Sequence, residues 1–178
     1  EGVSRVRQIV KDLKDFSHVD EAEWQLTDIV KGIDSTLNIV HNEIKYKAVV
    51  HKKYDAIPKI ECVPSQVNQV VMNLLVNASH AIEERGDITI KVSQQDEQFV
   101  CVEISDTGKG IPEDDLAHIF NPFFTTKPVG QGTGLGLSLS YSMVEKHGGE
   151  LSVTSEVGVG TVFSMILPIH QQDSKLDK

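Results

Sequence analysis

Apolar residues recur at three- and four-residue steps in four stretches of the chain, and this period predicts amphipathic helices. The first stripe comprises Val3, Val6, Ile9, Val10, Leu13 and Phe16. The second comprises Leu26, Ile29, Val30, Ile33, Leu37 and Val40. The third is the strongest helix prediction and comprises Val67, Val70, Val71, Leu74, Leu75, Ala78, Ala81 and Ile82. The fourth helix runs from Leu135 to His147 and is closed by Gly148 and Gly149.

Between these helices apolar and polar residues alternate, as they do along strands with one buried face. Ile88–Val92 and Val100–Ile104 alternate in this way, and the polar stretch between them suits a hairpin loop. Four further strands are predicted at Lys47–Ile57, Ile60–Val63, Leu151–Val153 and Thr161–Leu167. This order of elements predicts a two-layer α/β sandwich of the α+β kind, with helices on one face of a mostly antiparallel sheet.

Composition and charge limit the class of protein. A chain of 178 residues fits one domain with a short extension, and we expect a helix in 1–20, the domain in 21–170 and a flexible tail in 171–178. The net charge of −9, without a cluster of Lys and Arg, argues against a nucleic-acid partner. No apolar stretch suits a membrane span or a signal peptide, which favours the cytoplasm, so Cys62 and Cys101 are expected to be reduced.

A polar stripe runs along the third predicted helix beside its apolar face. Its members are Gln66, Gln69, Asn73, Asn77, His80 and Glu84. Asparagine is a poor residue for a helix interior, so two of them one turn apart point to a use for their amide oxygens. Mg²⁺ takes hard oxygen ligands and keeps water or phosphate for the rest, which makes a magnesium contact one explanation. The alternative is that both amides face water on an exposed edge.

The segment Asp106–Gly110 directly follows a predicted strand, so Asp106 is expected at a strand end beside glycines that let a ligand approach the backbone. A carboxylate there can accept a hydrogen bond from the 6-amino group of adenine and would reject the 6-oxo group of guanine. The alternative is an ordinary turn, because Asp, Thr and Gly are common turn residues.

Alternating glycines mark the loop that leads into the fourth predicted helix. They are Gly130, Gly132, Gly134 and Gly136. Backbone N–H groups in such a loop can converge on one point, and a helix N-terminus adds partial positive charge, so phosphate is the expected ligand. A flexible surface loop is the alternative. The preceding segment, Phe120–Lys127, suits either a lid that carries Lys127 to phosphate or a permanently packed cluster of its three phenylalanines.

Four segments resemble, in order and spacing, the motifs of sensor histidine kinases. Asn73–Ala78 resembles the N box, Asp106–Gly110 the G1 box, Phe120–Phe124 the F box and Gly132–Leu137 the G2 box. The resemblance covers about residues 25 to 168 and is strongest to the nitrogen-regulation type. It implies the Bergerat ATP-binding fold, in which a mixed, mostly antiparallel sheet lies under three helices, and it implies ATP and Mg²⁺ as ligands.

The resemblance also implies roles for individual residues. Asn77 is expected to ligate magnesium, Asp106 to bind the adenine amine, and Thr161 to join Asp106 at the adenine through water. The candidate catalytic residues are Asn73, Asn77 and Lys127. The expected nucleotide contacts are Asn77, His80, Asp106, Gly108, Gly110, Ile111, Lys127, Gly132, Thr133, Gly134, Leu135, Gly136, Leu137 and Thr161. His80 stands where many relatives carry lysine, so its charge would depend on pH near neutrality, and a solvated side chain is the alternative.

One feature of the family is missing from the chain. The acceptor histidine is normally followed by an acid and then by proline, and none of the seven histidines stands in that setting. Residues 1–17 instead resemble the end of the second helix of the dimerising hairpin, whose first helix would carry the acceptor.

The resemblance implies transfer of the γ-phosphoryl of ATP to a histidine of that hairpin, followed by relay to an aspartate of a response regulator receiver domain. The full-length protein is expected to be a homodimer, because the family dimerises through the hairpin. The alternatives are a fold-related ATPase or serine kinase, and a non-catalytic nucleotide-binding module.

Overall fold

The computed structural model describes residue 10, residues 23–128 and residues 132–172. Its elements are β1 (Gln25–Thr27), α1 (Ile29–Ile44), β2 (Ala48–Tyr54), β3 (Ile60–Cys62), α2 (Pro64–Ala81), β4 (Gly86–Gln94), β5 (Phe99–Asp106), α3 (Glu113–Leu116), α4 (Gly136–Lys146), β6 (Glu150–Glu156) and β7 (Gly160–Pro168). Five strands form one sheet in the order β2-β4-β5-β7-β6, and β1 pairs with β3 separately. Only β2 and β4 are parallel neighbours in the larger sheet, which confirms the mixed, mostly antiparallel arrangement.

One face of the large sheet is buried because its strands alternate in polarity. Val100, Val102 and Ile104 of β5 point into the core, whereas the residues between them lie on the half-exposed opposite face. The inward residues of β4 and β7 follow the same period, and full burial of each large apolar side chain contributes about 1.5–3 kcal/mol. The three long helices cover this face and share one hydrophobic core with it, which confirms the predicted two layers.

α2 is the central helix of the upper layer and packs against both α1 and α4. α1 begins after Asp28, whose Oδ1 accepts hydrogen bonds from the N–H groups of Val30 at 3.2 Å and Lys31 at 3.4 Å. The expectation that Leu26 belongs to this helix is therefore wrong. Leu26 lies in β1, 54% exposed and opposite Glu61 of β3, because the chain before the Asp28 cap is extended.

The buried side chain of His147 connects the start of α2 to the C-terminal end of α4. The N–H of Val63, immediately before α2, donates to Nε2 of His147 at 3.0 Å, so the ring proton lies on Nδ1. Nδ1 then donates to the carbonyl oxygen of Met143 at 2.7 Å, near the end of α4. The Trp24 ring lies 4.8 Å from the His147 ring between centroids, and this contact brings the start of the described domain against the same point.

β1 and α3 were not predicted because three- and four-residue elements are too short to show a period. The predicted helix within residues 1–20 lies outside the described residues, apart from Val10, and so does most of the predicted tail. Gln171, at the start of that tail, is bonded: its N–H donates to Oε2 of Glu61 at 2.7 Å. Among the described residues, none of the helices combines the length and the apolar character that a bilayer crossing requires.

Candidate functional site

The two asparagines of α2 occupy different surroundings. Nδ2 of Asn73 donates to the carbonyl oxygen of Gly136 at 3.2 Å and to Oγ of Ser140 at 3.1 Å, so it binds α2 to the first turns of α4. Asn77, one turn further along α2, is half-buried, and its side chain makes no hydrogen bond to another described residue. The Asn73 amide is thus held in place by its nitrogen, whereas both polar side-chain atoms of Asn77 are available to a ligand.

The donor chemistry near Asn77 fits Mg²⁺. No group of three His, Cys, Asp or Glu side chains that could hold a metal occurs within the described part of the chain. A divalent ion at α2 would therefore depend on the hard amide oxygen of Asn77, on water and on the phosphate oxygens of a ligand, which is how Mg²⁺ is commonly held.

Asp106 is buried at the end of β5, with 8% of its surface exposed. One carboxylate oxygen, Oδ1, accepts a hydrogen bond from the N–H of Gly108 at 2.8 Å, and the residue opposite Asp106 on β7 is Thr161. Burial raises the pKa of Asp106, although hydrogen bonds from the backbones of Gly108 and Thr161 lower it. The Asp106 carboxylate is therefore a buried hydrogen-bond acceptor at the end of β5.

A serine that the motifs do not include connects this region. Oγ of Ser155 accepts a hydrogen bond from the N–H of Ile111 at 2.8 Å and donates to the carbonyl oxygen of Gly160 at 2.9 Å. The Thr161 hydroxyl lies 2.8 Å away and then donates to Ser155, because the serine proton is already used. Ser155 thus joins Ile111, the residue directly after the G1 segment Asp106–Gly110, to β7.

The glycines of the G1 segment pack closely against their neighbours. A Cβ on Gly108 would lie 2.6 Å from the backbone of Ala81, and the N–H of Lys109 donates to the Ala81 carbonyl oxygen at 3.0 Å. Gly110 lies against the backbone of Glu156 at the end of β6. The G1 segment is therefore pinned between the C-terminal end of α2 and the β6–β7 hairpin.

The F segment contacts the start of the G2 segment. The N–H of Phe123 donates to the carbonyl oxygen of Gly134 at 2.9 Å, and Gly134 has a φ of 68°. Phe120 stacks near Tyr141 of α4 with ring centroids 5.2 Å apart, whereas Phe123 is 66% exposed. Phe124 packs against the core, so two of the three phenylalanines are packed and one faces solvent.

The first backbone N–H groups of α4 have no partner within the helix, as at the start of any α-helix. α4 begins at Gly136, and within the described residues no side chain caps it at Leu135. Gly132 lies beside Thr125 and Lys127, Thr133 accepts from the N–H of Leu135 at 3.4 Å, and Leu137 packs against the core. An uncapped helix start attracts anions. Gly130, the remaining glycine of the predicted phosphate loop, lies outside the described residues.

Lys127 and His80 contact each other across the site. Nζ of Lys127 lies 2.8 Å from Nδ1 of His80, and Nε2 of the same ring lies 4.0 Å from Oε2 of Glu43. Burial lowers the pKa of His80, and the positive charges of Lys127 and Lys47 lower it further, against the opposite effect of Glu43. Burial also lowers the pKa of Lys127, as does Lys109.

Three of the predicted segments contact α2, the helix that carries Asn73, Asn77 and His80. The G2 segment meets α2 at Asn73, the G1 segment meets it at Ala81, and Lys127 meets it at His80. Ser155 and Glu43 were not predicted to belong to the site. Ser155 could have been identified from its pairing with Thr161 between β6 and β7. That register, however, cannot be read from strand periodicity alone.

Comparison with known proteins identifies relatives of this chain. The family described as "Histidine kinase-, DNA gyrase B-, and HSP90-like ATPase" matches residues 62–171. Sensor histidine kinase ZraS of Salmonella typhi is 34% identical over 95% of this chain and 37% of its own length. Sporulation kinase E of Bacillus subtilis is 44% identical over 66% of this chain and 16% of its own length. The chain thus spans well under half the length of these relatives.

Solved structures agree with this relationship. The nucleotide-free catalytic domain of the histidine kinase ThkA has a TM-score of 0.73 at 29% identity, covering 83% of this chain and 98% of that one. Full-length ShkA in complex with AMPPNP has a TM-score of 0.81 at 23% identity, covering 95% of this chain and 37% of that one, a likeness of fold alone. Because the family match takes in more than half of its residues, the chain belongs to the histidine kinase-, DNA gyrase B- and HSP90-like ATPases, as an ATP-binding domain of the sensor histidine kinase type.

Proposed function

We propose that this chain is the catalytic domain of a two-component sensor kinase, which transfers the γ-phosphoryl of ATP to a histidine on a separate hairpin domain. The observation that carries the proposal is the meeting of three motifs along α2. Asn73 bonds to Gly136 at the start of α4, and the G1 segment packs on Ala81 at the other end. Asn77 lies between them, one helical turn from each. The segment that carries Asp106 and the N-terminus of α4 thus contact α2 on either side of Asn77.

In this proposal Asp106 selects the base. Its carboxylate accepts a hydrogen bond from the 6-amino group of adenine, and the water-mediated contact of Thr161 completes the recognition. Guanine is rejected because its 6-oxo group would place one acceptor against another. Gly108, Gly110 and Ile111 border the base, since the first two are held close to neighbouring backbone and Ile111 is fixed by Ser155.

The chain's contribution to the reaction is positioning and charge neutralisation. Asn77 would hold Mg²⁺, which when bound supplies neutralisation of charge on the phosphate oxygens. Backbone N–H groups within Gly132–Leu137 that have no partner in the fold, together with Lys127 and His80, would contact the same oxygens. Asn73 orients α4 against α2. An imidazole nitrogen of the hairpin forms the new bond to the γ-phosphorus, the bond to the β–γ bridging oxygen breaks, and ADP leaves with that electron pair.

The wider assembly is also part of the proposal. Residues 1–20 would belong to the second helix of the hairpin and residues 21–170 to the catalytic domain. The partners would be the hairpin of the same kinase in a homodimer and the receiver domain of a response regulator. We place this reaction in the cytoplasm.

Transfer of label tests the reaction. The chain is incubated with γ-labelled ATP, Mg²⁺ and a separately prepared hairpin domain, and label is expected on the hairpin histidine. A hairpin with that histidine changed to glutamine should stay unlabelled. If ATP binds and no label moves, the kinase reaction is refuted. A non-catalytic module would in addition show no effect of Mg²⁺ on the binding of ATP compared with ADP.

The metal ligand is tested separately by Asn77→Asp. This variant should change the magnesium dependence of ATP binding and phosphotransfer, because the carboxylate adds a negative charge at the metal and beside the phosphates. It should not unfold α2, because the side chain keeps its size. Asn38→Asp on the exposed side of α1 is the matched control and should behave as wild type. Unchanged magnesium-dependent binding in Asn77→Asp would show that the metal lies elsewhere.

A further inference from the structure

In the observed contact between His80 and Lys127, only one of the two side chains can carry a positive charge. Nζ of Lys127 lies 2.8 Å from Nδ1 of His80. A lysine ammonium has only donors, so it can donate to Nδ1 only when the imidazole is neutral and Nδ1 carries a lone pair. Protonation of the ring would place two N–H donors and two positive charges against each other. Without a ligand, the pair therefore carries one positive charge.

The surroundings of His80 favour its neutral form. Charged groups face it from three elements: Lys127 from the segment after the F box, Glu43 from α1, and Lys47 from the connection after α1. Lys47 is fixed there, since its Nζ donates to the carbonyl oxygens of Ser79 at 3.5 Å and Ile82 at 3.3 Å. Two cations thus outweigh one carboxylate, and the partial burial of the ring acts in the same direction.

We propose that His80 and Lys127 form a proton-linked phosphate site, in which binding of a nucleoside triphosphate draws one proton from solvent onto His80. The inference rests on the proposed function, because it requires the phosphates to lie at the G2 segment and the adjoining face of α2. The negative charge of a triphosphate offsets the repulsion between the two side chains and gives each of them an acceptor. The pair then carries two positive charges. His80→Lys would be charged in both states and would take up no proton, because lysine titrates far above neutrality and its flexible side chain can move its ammonium away from Lys127.

The sign of the pH effect follows from this uptake. A complex that holds one more proton than the free partners is favoured at low pH, so ATP affinity should fall as pH rises through neutrality. The steepest slope that one proton allows is about tenfold in affinity for each pH unit. A variant with lysine at position 80 should therefore bind ATP more tightly than wild type at alkaline pH.

Titration calorimetry of the 178-residue chain with magnesium and ATP measures the proton directly. The observed enthalpy is plotted against the ionisation enthalpy of a series of buffers, and the slope gives the number of protons taken up. We expect a larger uptake in wild type than in His80→Lys and His80→Gln, which share the titration of the nucleotide itself. His51→Gln, at an exposed histidine paired with Asp87, is the matched control and should keep the wild-type uptake.

Two outcomes separate this inference from the function on which it rests. Absence of ATP binding in wild type would refute both. Binding with the same proton uptake in wild type and His80→Gln would refute the inference alone.

An NMR titration of the His80 ring gives a second test that needs no binding-defective variant. The midpoint in wild type should rise when ATP is added, and without ATP it should be higher in Lys127→Met than in wild type. A midpoint that responds to neither change would overturn the proposal.

Discussion

Asp106→Asn changes the proposed adenine contact while keeping the shape of the side chain. The amide oxygen can still accept from the N–H of Gly108, as Oδ1 of Asp106 does at 2.8 Å. The amide nitrogen, however, is a donor, so it would face the 6-amino group of adenine with like polarity. A hydrogen bond to a charged acceptor contributes about 1.5–3 kcal/mol, and about 1.4 kcal/mol is tenfold in affinity. We expect ATP to bind about tenfold to a hundredfold more weakly.

The same substitution should not reduce stability. Burial raises the pKa of Asp106, so the folded state holds the carboxyl proton more tightly than the unfolded chain does. The stability contributed by this group is therefore greatest at acid pH and is lost as pH rises through the raised pKa. At neutral pH the buried carboxylate lowers the free energy of unfolding, and asparagine carries no charge to bury. The melting temperature of Asp106→Asn should equal or exceed that of wild type.

Calorimetric titration with ATP and GTP, together with thermal unfolding at neutral and acid pH, tests both statements. Discrimination against GTP should decrease, because the asparagine amide can donate to the 6-oxo group. Asp55→Asn, at an exposed aspartate after β2, should match wild type in every measurement. Wild-type ATP affinity in a folded Asp106→Asn variant would refute the adenine contact. A lower melting temperature at neutral pH would refute the assigned cost of burying the carboxylate.

Three further substitutions test how the structure holds the site. Gly134→Ala should lower ATP affinity and the melting temperature more than the control Gly158→Ala. Both glycines have a positive φ, but only a Cβ at position 134 would overlap neighbouring backbone. Equal losses in the two variants would refute the overlap. Ser155→Ala should lower the free energy of unfolding in urea by about 1–3 kcal/mol, since the part-buried N–H of Ile111 and the hydroxyl of the buried Thr161 lose their partner; a loss near zero would contradict this. His147→Leu should cost a similar 1–3 kcal/mol because the N–H of Val63 loses its acceptor, and an unchanged urea midpoint would exclude that role.

The main elements of the fold could be predicted because each long element has one buried face. The stripe on α2 and the alternation in β4 and β5 survive in the structure with shifts of a few residues. The start of α1 was misplaced because Leu26 continues the apolar period by coincidence, and only the cap at Asp28 decides where the helix begins. The pairing of the strands is harder to predict from the sequence. No local pattern specifies that β2 pairs in parallel with β4, which follows it only after the whole of α2.

The site divides in the same way between local and distant information. The residue types of Asn77, Asp106 and Gly134 were enough to suggest their expected roles in metal, adenine and phosphate binding. Ser155 could not be predicted, because serine is common in strands and its role arises only where the β6–β7 register sets it opposite Thr161, beside Ile111.

His80 shows why a residue type alone does not define a chemical role. The sequence establishes that a histidine stands on the polar stripe of α2, and an isolated imidazole without a ligand would titrate near neutrality. Lys127, 47 positions away, changes this by occupying the lone pair of Nδ1, so that a proton can enter only when something else satisfies the ammonium. Because phosphate is the acceptor expected at that point, the titration of His80 becomes linked to nucleotide binding. A lone lysine would bind phosphate without taking up a proton, and a lone histidine would take up only the fraction of a proton that it does not already hold. The observed contact with Lys127 keeps His80 neutral beforehand and so increases the uptake.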